Sequence, residues 1–360
     1  MDINAKQKIK KIVTSWEFIL FMILVAEFVI FGFANFKKFM RISSILSSIN
    51  NYISICIISL FVTFVMITGG IDIQASSIVG LTSIIIGVLW SDVGLNIWAS
   101  VLIAIIAAAA CGGLSGFFVA YCGVQPMVVT LGGSFLYSGI ALLISSLSAT
   151  PAYQGISGFP AKTELGEFTS FRAIGKFKLF DIIPIQIIIF ALLVLICYLL
   201  LHKSKYGRKV FLIGVNPKAA EYSGINTRLI IMSTYILTGI GAAIAGILLT
   251  ANVDSAKYNL GSTFTLSIIT AVVLGGTLST GGKGSIIGTA LAALVICILR
   301  YGLPLCFNVS TQNLDLPVGM MLILVVTIRA MAGNPKVVAF FEHWKKKRKK
   351  ENFSANCIPG

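Results

Sequence analysis

Residues 97–120 read IWASVLIAIIAAAACGGLSGFFVA, twenty-four residues without a charged side chain. A helix of about 20 apolar residues crosses the roughly 30 Å hydrocarbon core of a bilayer. Apolar runs of this kind recur at 17–36, 50–68, 76–91, 128–147, 181–201, 229–251, 264–278, 285–302 and 317–333. With the first they make ten. The third and eighth, 76–91 and 264–278, are short, as broken or re-entrant helices are. Composition agrees: 57% of the 360 residues are hydrophobic, 11% are charged, and the mean hydropathy is +0.94. A soluble domain carries about 25% charged residues, so neither a soluble globule nor a disordered chain fits. The seven cysteines form no CxxC pair and read as small hydrophobes, with Cys357 a lone thiol in the tail. The expected fold is an all-α polytopic membrane protein.

The charges orient it. Lys and Arg collect in an N-terminal arm (1–16), in the loop 202–228 and in a tail (334–360), which hold four, six and seven of the 28. Basic short loops stay in the cytoplasm. Both termini inside requires an even number of spans, and loop 202–228 then has to follow an even one; it follows the sixth. The membrane domain is then 17–333, with its longest external loop at 148–180. Lys37, Lys38, Arg41, Lys162, Arg172, Lys176 and Lys178 run against the bias. The net charge of +15 suits an anionic leaflet and needs no nucleic acid.

Ionisable groups inside spans mark ion sites, proton relays or catalysis, and there are few. Glu17 opens the first span, Glu27 lies near its middle, and Asp72 sits at the break before the third. Arg300 and Arg329 fall near span ends, where snorkelling would explain them. There is no metal-spaced His/Cys cluster, no HExxH and no nucleophile elbow, which argues against an intramembrane enzyme. An ion-coupled carrier would rest on Glu27 and Asp72, and the plainer reading of Glu27 is a bond to a neighbouring helix. A non-transporting scaffold would lack a continuous polar path. The stretch Gly275–Ser285 fails the phosphate-loop pattern at two positions and reads as a flexible connector with a helix start at Ser285.

The 206–226 segment is the most specific. Asn216 suits a helix N-cap, Pro217 the first helical position and Gly224 the stop. A short helix over 218–222 would place Ala219, Ala220 and Ser223 for close packing in another protein's groove. Gly69-Gly70 can break a helix inside the membrane, and Asp72 can cap the half-helix that follows. The rows Ala107–Ala110, Gly112, Gly113, Gly116 and Gly239–Gly246 read as close-packed bundle core.

These segments carry a resemblance. Tyr206–Asn226, Thr68-Gly69-Gly70-Ile71-Asp72-Ile73, Thr270–Gly276 and Gly281–Thr289 are similar, in order, to the ribose-type sugar permeases of bacterial ABC importers. Residues 26–32, 153–160 and 201–203 look most like the D-type permeases of autoinducer-2 import systems. Where that family has Ser-Val-Gly-Ser, this chain has Gln74-Ala75-Ser76-Ser77. The resemblance implies a type II (BtuC-like) ABC importer permease in the bacterial inner membrane, importing autoinducer-2 or a monosaccharide such as ribose or rhamnose. It implies two separate ATPase subunits, which carry ATP and Mg, a second permease copy or paralogue, and an external solute-binding protein. No cofactor, metal or catalytic residue is expected in this chain. ATPase docking would fall to Gly214, Asn216, Pro217, Ala219, Ala220, Ser223, Gly224 and Ile225. The translocation path would be lined by Gly69, Gly70, Asp72, Gln74, Ser77, Gly275 and Gly276.

Overall fold

The computed structural model describes residues 16–157, 167–307, 309, 310 and 313–333. The basic tail, nearly all of the N-terminal arm and the middle of loop 148–180 lie outside the described residues. Among the described residues, seven helices are long and apolar enough to cross a membrane: α1 (Trp16–Ala34), α3 (Ile42–Ile67), α5 (Ile97–Ala120), α6 (Pro126–Leu147), α8 (Ile185–Tyr198, continued by a π turn to Lys203), α11 (Thr227–Val253) and α13 (Ile286–Phe307). Two shorter apolar helices, α4 (Ala75–Ser91) and α12 (Thr265–Leu274), and a further apolar helix, α14 (Asp315–Gly333), complete the ten. Short helices α2 (Phe36–Phe39), α7 (Glu167–Lys176), α9 (Lys205–Val215) and α10 (Pro217–Tyr222) join them.

One span starts earlier than its hydropathy suggests. Residues 42–49 include four serines, yet they continue the helix of 50–67. Their polar side chains leave the backbone bonding intact.

Helix α3 is the axis of the bundle: 83% of its apolar window is buried, against 17% for α6. It packs against α8, α11, α12 and α13. Some of its polar groups bond within the helix, Ser59 Oγ donating to the Ile55 carbonyl and Thr63 Oγ1 to that of Ser59, both at 2.7 Å, while Ser54 Oγ donates to the Ala245 carbonyl of α11 at 3.2 Å. Helices α5 and α11 make the most extensive pairing, and their small residues permit it. A Cβ on Gly112 would collide with the Tyr235 carbonyl, and one on Gly239 with that of Ala108. Between apolar helices in lipid there is no hydrophobic drive, so this backbone approach supplies the packing energy.

Both short spans adjoin irregular backbone. Helix α4 follows the uncoiled segment 68–74, and α12 follows 257–264. At ten residues α12 is about 15 Å long, half a membrane. Segment 257–264 runs along α4: the Lys257 amide donates to Ser83 Oγ at 3.3 Å, and the absent side chain of Gly80 admits the carbonyl of Tyr258. Gly261 is buried against Val79 while Asn259, Ser262 and Thr263 are exposed, and irregular backbone inside a membrane is tolerated where it is buried in protein or lines a water-filled cavity.

On the face away from residues 204–226, a cover closes over α11. Strand β1 (Ile156–Ser157) pairs antiparallel with β4 (Ser255–Ala256), and β2 (Lys178–Leu179) with β3 (Ile183–Pro184). Arg172 and Lys176 of α7 both reach Asp254 Oδ2, at 2.8 and 3.1 Å.

Arg300 does not snorkel. It is buried, donating to Ser267 Oγ at 2.7 Å and Asp315 Oδ1 at 2.6 Å, with its guanidinium 5.7 Å from the centre of the Tyr52 ring. It thereby joins α13 to α12 and α14. The Arg329 side chain lies outside the described residues.

Candidate functional site

The break before α4 builds a buried polar lattice. Helix α3 ends at Ile67, and Gly69 turns the chain with φ +87°. Asp72 Oδ1 then accepts from the Gln74 amide at 3.0 Å, holding the start of α4. Gln74 is fully buried; its Oε1 accepts from Ser115 Oγ of α5 at 2.6 Å. Ser115 also meets Tyr137 Oη of α6 at 3.2 Å, and Tyr137 donates to the Cys111 carbonyl at 2.9 Å. Thr130 Oγ1 donates to the Ile71 carbonyl at 2.9 Å, Ser77 Oγ lies 3.0 Å from Ser134 Oγ, and Ser76 Oγ lies 2.5 Å from Thr265 Oγ1. Three buried atoms here, Asp72 Oδ2, Gln74 Nε2 and Tyr235 Oη, make no hydrogen bond within the described residues. Buried polar atoms without partners are costly in a stable core. Of the ten such atoms in the described residues, these three gather at one helix break.

The second constellation is the arm between α8 and α11. Helix α9 is amphipathic: Gly207, Val210 and Ile213 face the bundle, while Arg208, Lys209, Leu212 and Val215 are exposed. Asn216 Oδ1 accepts from the Ala219 amide at 3.1 Å and caps α10, with Pro217 in its first turn. Gly224, at φ +78°, ends it, and the Ile225 amide returns to the Ala220 carbonyl at 3.2 Å. Ala219, Ser223 and Gly224 face outward, whereas Ala220 is buried against the chain's own body. Neither Ala220 nor Gly214, whose missing side chain admits the Ile67 carbonyl, is thus open to a partner's groove, and the docking expected of both is corrected to seating the arm on the bundle. Ala220 seats α10, because its neighbours on that helix face meet α11. Tyr222 is 91% exposed at the tip of the arm.

Residues 44–327 match the family described as branched-chain amino acid transport system / permease component. The chain belongs to this family. The permease is 38% identical over 335 residues to the autoinducer 2 import system permease protein LsrD of Photorhabdus luminescens, across 92% of this chain and 97% of that one. It is 38% identical over 340 residues to the LsrD protein of Yersinia pseudotuberculosis serotype O:3 and 37% identical to that of Yersinia pestis (strain Pestoides F), in both cases across 94% of this chain and 98% of the relative. No solved structure matches it. It is a multi-pass membrane protein and a transport subunit.

Of the path residues read from the permease sequence, Asp72, Gln74 and Ser77 come together in the lattice. Gly275 and Gly276 do not join them. Gly275 packs on the backbone of α13 at Thr289, so it serves helix crossing. Ser115, Thr130, Ser134, Tyr137 and Tyr235 were invisible as site residues. Each is a single hydroxyl in an apolar span, and only the fold brings them to one place. Glu27 is buried in α1 with Oε2 unbonded among the described residues, so the helix-to-helix bond expected of it is not seen at that atom.

Proposed function

We propose that this permease is the membrane-spanning subunit of a binding-protein-dependent ABC importer carrying autoinducer-2, a small sugar-like solute, into the cytoplasm. The observation that carries the reading is similarity along nearly the whole chain to permeases named for that import system. The setting is the bacterial inner membrane, with both termini and the 202–228 loop on the cytoplasmic side. Two permeases form one path, and two ATPase subunits grip the α9–α10 arms and hydrolyse ATP there. The external binding protein delivers solute to the outer loops. This chain performs no bond chemistry; it holds a cavity whose access alternates.

The arm supports docking. Its exposed edge pairs apolar Leu212 and Tyr222 with cationic Lys205, Arg208, Lys209 and Lys218, a surface suited to an apolar groove rimmed by carboxylates. Asn216, Pro217, Gly224 and Ile225 set the arm's shape. Within the bundle, Asp72, Gln74 and Ser77, with Ser115 and Tyr137, offer an uncharged solute hydroxyl partners along the path.

The test is uptake of labelled autoinducer-2 by cells lacking their own importer and given this chain with its cognate ATPase and binding protein. Uptake should vanish when the ATPase's phosphate-loop lysine is replaced and should survive collapse of the proton gradient at constant ATP. Uptake that ignores the ATPase lesion but falls with the gradient would instead make Glu27 and Asp72 proton sites of a carrier. Competition by ribose or rhamnose at equal potency would move the solute assignment to a monosaccharide.

A further inference from the structure

The glycine-rich stretch Gly275–Ser285, which reads in the sequence as a loose connector, is held at its far end by two other segments. Residue Gly214 closes α9 where that arm meets the bundle. A Cβ there would collide with the carbonyl of Ile67, the last residue of α3, and would lie 2.5 Å from the Gly282 amide nitrogen. That amide donates to the same Ile67 carbonyl at 2.9 Å. Gly281 is buried beside it; a Cβ there would sit 2.9 Å from the Ile67 carbonyl, 3.0 Å from that of Gly214 and 3.0 Å from the Gly69 amide nitrogen. Three segments far apart in sequence therefore meet backbone to backbone at one carbonyl. Both Gly281 and Gly282 hold positive φ, +87° and +76°, and the turn is tied by the Leu278 amide to the Lys283 carbonyl at 3.1 Å. At the Ile67 carbonyl the contact is backbone to backbone, with the Val215 side chain beside Gly282.

We infer that Gly214, Gly281 and Gly282 form a rigid clasp that carries movement of the α9–α10 arm into the Gly69–Asp72 break. This rests on the transport reading above. The clasp lies between the arm's exposed edge and the break, and the break positions Asp72 and Gln74. A rigid clasp moves arm, turn and α3 end as one body, and the lattice above changes its aim with them. These glycines are positioning residues; the clasp stands apart from the lattice and offers no side chain to a solute.

The test separates a wedge from a lock. Gly214→Ala inserts one carbon between the arm and the Ile67 carbonyl. The expected result is retained copurification of the ATPase, retained basal hydrolysis and at least a tenfold loss of uptake. The lock is Val215→Cys with Gly282→Cys, in a background freed of native cysteines, since a Cβ at 282 would lie 3.0 Å from Val215 Cγ2, within disulfide reach. Oxidation to the disulfide should leave uptake within twofold of the reduced protein, because a rigid body tolerates an internal bond. Reversible arrest of uptake on oxidation would mean that the surfaces slide, and would overturn the clasp. So would undiminished uptake in Gly214→Ala. Should Gly214→Ala fail to fold, the disulfide experiment still decides. ATPase dependence of the unaltered importer is measured in parallel, so failure of the transport reading is distinguishable from failure of the clasp.

Discussion

Arg300 and Asp315 show how burial sets the sign of a substitution. The Arg300 side chain is 8% exposed and that of Asp315 50%. Removing Asp315 leaves a buried cation without its carboxylate, whereas removing Arg300 leaves a carboxylate that water can reach. Breaking a buried pair by leaving the charge behind costs about 3–5 kcal/mol, while an apolar replacement of the buried charge is often near neutral. Asp315→Ala is therefore expected to lower the unfolding temperature in detergent far more than Arg300→Met. Equal losses would show that the pair is not asymmetric. Ala220 gives a second case. Ala220→Trp overpacks a buried seat and should cost about 1–3 kcal/mol, so its loss of uptake would come with a lower melting temperature. Tyr222→Ala removes an exposed ring; it should leave melting unchanged and release the ATPase subunit during purification. Stable ATPase retention in Tyr222→Ala would remove the arm tip from the docking surface.

Among elements, the amphipathic helix α7 is attached to the bundle both by the buried Phe171 and by charge. Its Arg172 and Lys176 share Asp254, which stands in a left-handed conformation at the end of α11. Both cations are more than a third exposed, and such surface pairs contribute under about 1 kcal/mol and weaken with salt. Hydrogen exchange of α7 amides should quicken between low and high ionic strength, and Asp254→Asn should reproduce the high-salt rate. Exchange in α3 should not respond to either change, because its anchoring is apolar and central. Salt-insensitive exchange in α7 would show that buried Phe171 and Gln186, which donates to the Gly175 and Leu248 carbonyls at 3.2 and 3.1 Å, hold that region without the ion pairs.

Across the whole molecule, the arm and the cover over α11 lie at opposite ends of the bundle. In intact cells, Tyr222→Cys should resist a membrane-impermeant thiol reagent that labels Tyr153→Cys, since both side chains are highly exposed but on opposite faces. Everted vesicles should reverse the pattern. Labelling of both residues from one side would break the ten-span topology and the docking proposal with it.

The bundle and its connections are legible in the amino-acid order alone. Apolar runs have a length fixed by the bilayer, so each span announces itself. The cap of α10 was legible for the same local reason: Asn216, Pro217 and Gly224 act on backbone within a few residues of themselves. What only the tertiary structure decided were the contacts between distant segments. Ser115, Tyr137 and Tyr235 gain their place beside Asp72 and Gln74 from helix packing, and nothing in an isolated apolar span distinguishes a lattice hydroxyl from one bonded to its own helix. Ala220 turned inward because α10 lies along α11, a direction no cap encodes. The Gly281–Gly282 turn met Gly214 and Ile67 through backbone alone, and backbone contact between remote segments leaves no side-chain pattern to read.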